Sequence, residues 1–270
     1  MRAEASAPVS VLAALLRELA PVRVAVSGGV DSMTLALVAG RELADAVEVV
    51  HAASPAVPAE ATARVRAVGA AEGWRVHVID AGEFADEAYL ANPYDRCFHC
   101  KSHLYRAMAR LGGGLLLSGA NTDDLDDYRP GLAAARDHGV RHPFVECGID
   151  KSGVRALCAS LGYRDIAALP AAPCLSSRIE TGLRIEPGTL AFVHAVESAL
   201  REGPGPLVVR CRVRRDGVVV ELDEAALQSL RAGDEEGWRQ RIAALAAANG
   251  LAPEIRFEPY RRGSAFVAAS

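Results

Sequence analysis

The chain has 270 residues, half of them hydrophobic, and a net charge of −4. That length allows one large domain or two modest ones with a buried core, which excludes wholesale disorder. The longest stretches without a charged residue, such as residues 5–16, run twelve residues, short of the ~20 a spanning helix needs, and the acidic balance argues against a nucleic-acid partner.

Residues 9–20 read as an amphipathic helix with Val9, Leu12, Leu16 and Leu19 on one face, stopped by Pro21. A β-rich run over 22–26 leads into Ser27-Gly28-Gly29, and a helix follows over 33–38. This strand, glycine-rich turn and helix open a βαβ unit. The pattern repeats: strand 47–51, helix 60–72, strand 74–79, helix 101–111, strand 115–118 and helix 152–161. Such alternation predicts a Rossmann-like α/β domain over 1–180, its parallel sheet covered by helices on both faces. The stretch 81–99 is less regular and is expected to form a lid or site wall. Beyond it the grammar changes: helix 188–201, strands 207–214 and 218–222 about a turn at Asp216-Gly217, helix 235–249 and strand 255–257. A smaller α+β domain is expected over 181–270.

The strongest chemical signal is Ser27-Gly28-Gly29-Val30-Asp31-Ser32. Two glycines after a strand let backbone N–H groups point at an anion, and the following helix N-terminus adds partial positive charge. The loop lacks the lysine of GxxxxGK[ST] and the spacing of GxGxxG. Asp31 beside phosphate is explained as a Mg²⁺ ligand or a helix cap. Cys97 and Cys100 form a C-x-x-C, a spacing that suits two thiolates on one metal or cluster. Zinc would need two more ligands, for which His99 and His103 are near; a redox pair and two buried thiols also stay open. Cys174 lies in a loop with Arg178 nearby and is a candidate nucleophile. Asp123, Asp124, Asp126 and Asp127 make an acidic loop after a strand. Arg210, Arg212 and Arg214 alternate on one strand face, which by spacing alone reads as an exposed polar face. Cys147, Cys158 and Cys211 read as small core residues. Six cysteines are too few for a disulfide scaffold. The early apolar run is followed by Arg17 and Glu18, unlike a secretory signal, so a reducing cytoplasm is expected. Of 30 basic residues only Lys101 and Lys151 are lysine; coding bias explains the arginines, and a surviving lysine hints that a primary amine is wanted.

The hexamer resembles the pyrophosphate loop of the ATP pyrophosphatase superfamily. Further matches follow in order: residues 92–101 around the cysteine pair, Ser118-Gly119-Ala120-Asn121-Thr122-Asp123-Asp124, Asp127-Tyr128-Arg129-Pro130-Gly131, Pro173-Cys174-Leu175-Ser176-Ser177-Arg178, Val209-Arg210-Cys211-Arg212 and Tyr260-Arg261-Arg262-Gly263-Ser264. Together they resemble the sulfur transferases that mature the nickel-pincer cofactor of lactate racemase, the LarE family. The resemblance implies ATP on Ser27, Gly28, Gly29, Val30, Asp31, Ser32, Gly119 and Asp124, with Mg²⁺ and catalytic roles for Asp31, Lys101 and Cys174. It implies a nucleotide-like substrate, pyridinium-3,5-biscarboxylic acid mononucleotide, whose phosphate is met by Ser177, Arg178, Arg210 and Arg212. Glu197 falls where the family has a metal-associated carboxylate. The sulfur comes from Cys174 itself or from a [4Fe–4S] cluster on Cys97, Cys100 and Cys174, and the cysteine set favours the cluster. A homo-oligomer is expected. The alternatives are a tRNA thiolase of the same superfamily, an AMP-forming amide synthetase, and a nucleotide-binding sensor with a structural zinc.

Overall fold

The computed structural model describes residues 6–125, 129–171, 173–261 and 263–265. Asp126, Asp127, Tyr128 and Arg262, singled out in the sequence, lie outside the described residues. Two compact units emerge: Met1–Glu83 with Cys97–Ala172, and Phe84–Arg96 with Pro173–Ser270.

The first unit opens with α1 (Ser6–Leu19), β1 (Val22–Ala25), α2 (Val30–Leu43), β2 (Val47–Ala52), α3 (Ala59–Glu72) and β3 (Val76–Ile79). The chain then gives the short α4 (Glu87–Leu90) to the second unit. It continues through α5 (Arg96–Arg110), β4 (Leu115–Ser118), α6 (Pro130–Asp137), α7 (Pro143–Glu146), α8 (Lys151–Ser160) and α9 (Arg164–Ala167). The four strands are all parallel, in the order β3-β2-β1-β4. This is the expected Rossmann-like sheet.

Period-two alternation sorts its two faces. Val22, Val24, Val47, Val49 and Leu117 join Leu12, Leu16, Leu35 and Val154 in one buried cluster. Ala25, Val50 and Leu116 meet Leu104, Met108 and Ala134 in another. The second face also receives Arg23, only 2% exposed. Its guanidinium pairs with Glu48 and donates to the carbonyls of Met108, 2.9 Å away, and Gly112, at 2.7 Å. Those carbonyls lie in the last turn of α5 and just beyond it, where helical acceptors run short of N–H partners.

The second unit continues with α10 (Pro187–Glu202), β5 (Val209–Arg214), β6 (Gly217–Leu222), α11 (Glu224–Ala232), α12 (Glu235–Ala248) and β7 (Ile255–Pro259). β5 and β6 pair antiparallel, and β6 and β7 pair parallel across the helical crossover. This is the expected smaller mixed α+β region. The segment 84–96 is part of this unit. Leu90 O accepts from Ile185 N–H, Asn92 O accepts from Gly182 N–H, and the Tyr89 hydroxyl lies 2.8 Å from that of Ser176. Among the described residues no helix is long and apolar enough to cross a membrane.

Candidate active site

The glycine-rich loop sits at the carboxyl end of β1. Gly28 adopts a left-handed φ of 84°, and a Cβ there would lie 2.8 Å from Ala61 O. The two serines brace the loop: Ser27 N–H donates to Ser32 Oγ at 3.0 Å and the hydroxyls are 3.1 Å apart. Arg64 donates to Gly28 O at 2.8 Å. No side chain caps α2, so its first-turn N–H groups are presented at the loop, as an anion requires. Beneath the loop, fully buried His51 bridges Val26 O at 2.8 Å and the Thr62 hydroxyl at 2.9 Å. Since a carbonyl can only accept, Nδ1 carries the proton toward Val26. Burial holds the His51 pKa below its ordinary value.

In the order β3-β2-β1-β4, sequential connections reverse direction between β1 and β4, the position where open α/β sheets bind ligands. The loop after β4 meets the loop after β1 there. A Cβ on Gly119 would lie 2.7 Å from Ser32 N, so only glycine allows this approach. Buried Asn121 donates from Nδ2 to Asp31 Oδ1 at 3.3 Å, and its N–H donates to Asp124 Oδ2 at 3.1 Å. Arg129 holds Asp124 at 2.8 Å. The other Asp31 oxygen is 2.5 Å from the Lys151 ammonium at the start of α8. Ser118 Oγ lies 2.8 Å from Nδ1 of His142, whose pKa burial lowers. Asp31, Gly119 and Asp124 are thus brought together with the loop. Asn121 stood inside a motif, but no role was read for it. Lys151 was overlooked as a site residue, although its rarity in an arginine-rich chain was the signal.

Cys97 and Cys100 occupy the first turns of α5, which begins at Arg96 rather than Lys101. The stem of Lys101 lies against Gly131, where a Cβ would be 3.1 Å from Lys101 Cγ. The third expected cluster cysteine, Cys174, belongs to the other unit. Among the described residues no three His, Cys, Asp or Glu side chains group to hold a metal ion.

In the second unit Cys174 precedes a short turn over Leu175–Arg178. Its carbonyl accepts from Ser177 N–H at 3.0 Å, Ser177 Oγ at 2.7 Å and Arg178 Nη1 at 3.1 Å. Arg178, 2% exposed, also donates to Pro173 O at 2.6 Å and grips Glu197 with two bonds of 2.8 and 3.0 Å. Glu197 is 1% exposed and also accepts from Arg201 and from Cys211 N–H. Burial pushes its pKa up, but the Arg178 bonds and charge outweigh this, leaving it below the usual carboxylate range. Its oxygens therefore serve as an internal anchor. Arg212, also buried, spans Glu221 at 3.1 Å and Ser177 O at 3.0 Å. Arg210 lies over the Tyr260 ring at 5.8 Å, and burial together with Arg178 lowers its pKa. The unit thus gathers Cys174, Ser177, Arg178, Glu197, Arg210 and Arg212. Buried Glu221, bound by Arg212, Arg214 and Ser264, was not foreseen.

No family model matches the chain. It is 36% identical over 217 residues to an uncharacterized protein of Synechocystis, covering 78% of this chain and 80% of that one. It is 32% identical over 224 residues to the pyridinium-3,5-bisthiocarboxylic acid mononucleotide synthase of Lactiplantibacillus plantarum, covering 80% of this chain and 79% of the synthase. An uncharacterized Methanocaldococcus jannaschii protein is 25% identical over half of the chain. Identity and coverage of this order, joined to the loop at the β1/β4 switch point, place the chain in the family of that synthase, the LarE-type sulfur transferases.

Proposed function

We propose that this enzyme uses ATP to convert pyridinium-3,5-biscarboxylic acid mononucleotide into a thiocarboxylate. The observation that carries this reading is the uncapped α2 N-terminus behind a serine-braced glycine loop, with the Asp31 carboxylate beside it. The loop holds the β- and γ-phosphates through backbone N–H groups. Mg²⁺ takes one or two carboxylates plus phosphate oxygens and water, so Asp31, with Asp124 behind it, is a fitting donor set. When bound, the ion supplies charge neutralisation on the phosphates.

A substrate carboxylate oxygen attacks the α-phosphorus, the bond to the bridging oxygen breaks, and pyrophosphate leaves. Loop N–H groups and Lys101 meet the charge that builds on the phosphate oxygens. Arg210 receives the substrate's own phosphate, a task suited to guanidinium, while Arg212, held by Glu221 and Ser177 O, adds its charge from within the same strand. The Cys174 thiolate then attacks the acyl carbon and AMP departs, leaving a thioester. Loss of the Cα proton of residue 174 and cleavage of its Cβ–S bond release the thiocarboxylate, and the residue becomes dehydroalanine. This sequence of steps takes Cys174 itself as the sulfur source; a [4Fe–4S] cluster on Cys97, Cys100 and Cys174 is the second reading, and the mass of the spent chain tells the two apart.

The test is single turnover with Mg-ATP and this substrate. AMP, pyrophosphate and thiocarboxylate are expected, and the spent chain should weigh less by one hydrogen sulfide. Cys174→Ala should still release pyrophosphate but transfer no sulfur. Full transfer by that variant would overturn Cys174 as the donor, as would an unchanged mass of the spent chain. Absence of pyrophosphate release would overturn the adenylation.

A further inference from the structure

Lys151 has no role in the chemistry above, yet it reaches the centre of the loop. It is the first residue of α8, where a cation opposes the helix dipole. Its ammonium is 2.5 Å from Asp31 Oδ2, and the two side chains remain 30% and 28% exposed. An ion pair this exposed contributes little to folding, so stability does not explain a lysine there. Asn121 fixes the other Asp31 oxygen, which leaves the carboxylate in place while the lysine stem is free to swing. A carboxylate and an ammonium that satisfy each other at an anion cradle have two natural replacements: a divalent cation for the ammonium, and a polyphosphate for the carboxylate.

We infer that Lys151 is a pyrophosphate-binding residue of the ATP site, held in reserve by Asp31 until a metal ion displaces it. Without metal, Asp31 neutralises Lys151 and adds its own repulsion to phosphate, so the cradle is weak. With Mg²⁺ on Asp31, the ammonium turns to the β- and γ-phosphate oxygens and stays with pyrophosphate as it leaves. The pair thereby makes nucleotide binding depend on metal. This inference rests on the ATP reading above.

The test measures binding of pyrophosphate and of AMP to the full chain, with and without Mg²⁺, in the parent protein, Lys151→Met, Asp31→Asn and the double variant. Lys151→Met should weaken Mg-pyrophosphate binding by roughly 10–100-fold, the worth of one charged hydrogen bond, and leave AMP binding unchanged. Asp31→Asn should strengthen metal-free pyrophosphate binding, and the double variant should lose that gain. Equal weakening of AMP and pyrophosphate by Lys151→Met would mark a merely structural role and overturn the inference, as would no weakening at all. Should Lys151→Met fail to fold, Asp31→Asn decides alone: no metal-free gain overturns the inference. A parent protein that binds neither ligand under any condition would instead overturn the ATP reading itself.

Discussion

Arg178 directs its whole guanidinium inward: two bonds to Glu197 and others to the carbonyls of Pro173 and Cys174. It therefore ties the backbone around Cys174 to α10, and Glu197 works through it. Replacing Arg178 by alanine would leave Glu197 buried without its main partner and should cost about 3–5 kcal/mol, read as a lower midpoint in urea. Arg178→Lys keeps the charge but not the fork, and should slow sulfur transfer more than pyrophosphate release. His51 carries a different expectation. Its folded pKa lies below the unfolded value because burial disfavours the charged form. Below about pH 6.5 the unfolded chain then binds more protons than the folded one. The contribution of His51 is complete above that pH and is lost as pH falls toward the folded pKa. His142 acts in the same sense. Thermal unfolding followed from pH 7.5 to 5 should show this loss, and His51→Asn should flatten the slope.

At the scale of elements, the parallel strands and the helices between them were legible because short β-branched runs alternate with longer segments, and turn residues bound most of them. Sequence reading passed over α6 and α11. α6 is only eight residues long, three of them alanine. α11 carried a cue, an Asp223 cap accepting from Ala226 N–H ahead of buried Leu227 and Leu230, which the stronger strand pattern masked. The stretch 81–99, expected to form a lid or site wall, contains α4 and the start of α5. The site was legible where chemistry sits on contiguous residues, as in the loop and the C-x-x-C. It was not where partners come from distant elements: Arg23 on α5, His51 on Thr62, Lys151 on Asp31. Gly119→Ala should force a Cβ against the backbone of Ser32. Overpacking of this kind costs about 1–3 kcal/mol, and here it should appear chiefly as weaker nucleotide binding. Arg23→Met would remove the buried donor to Met108 O and Gly112 O and the main partner of Glu48. A loss of about 2–4 kcal/mol is expected, measurable by urea unfolding.

Across the whole molecule, the charge balance weighs against the tRNA-thiolase alternative. Residues 201–270 hold 11 arginines and 10 acidic residues. Several of those arginines are committed internally: Arg212 and Arg214 to Glu221, Arg239 to Glu235 and Glu236, Arg256 to Asp216. No shift of tRNA mobility is expected on adding the protein at physiological salt, where basic surfaces govern such binding.

The second unit is built from two stretches of chain, 84–96 and the run from Pro173 onward. During synthesis the first stretch leaves the ribosome well before its partners exist. Tyr89, Leu90 and Asn92 must wait for Ser176, Gly182 and Ile185. Closure of this unit is thus a late, long-range event of the kind that slows folding. A fragment begun at Pro173 would carry the strands and helices yet lack the tyrosine hydroxyl and two carbonyls that complete them. Joining 84–96 ahead of 173–270 through a flexible linker should restore a soluble, cooperatively folding piece, whereas 173–270 alone should not.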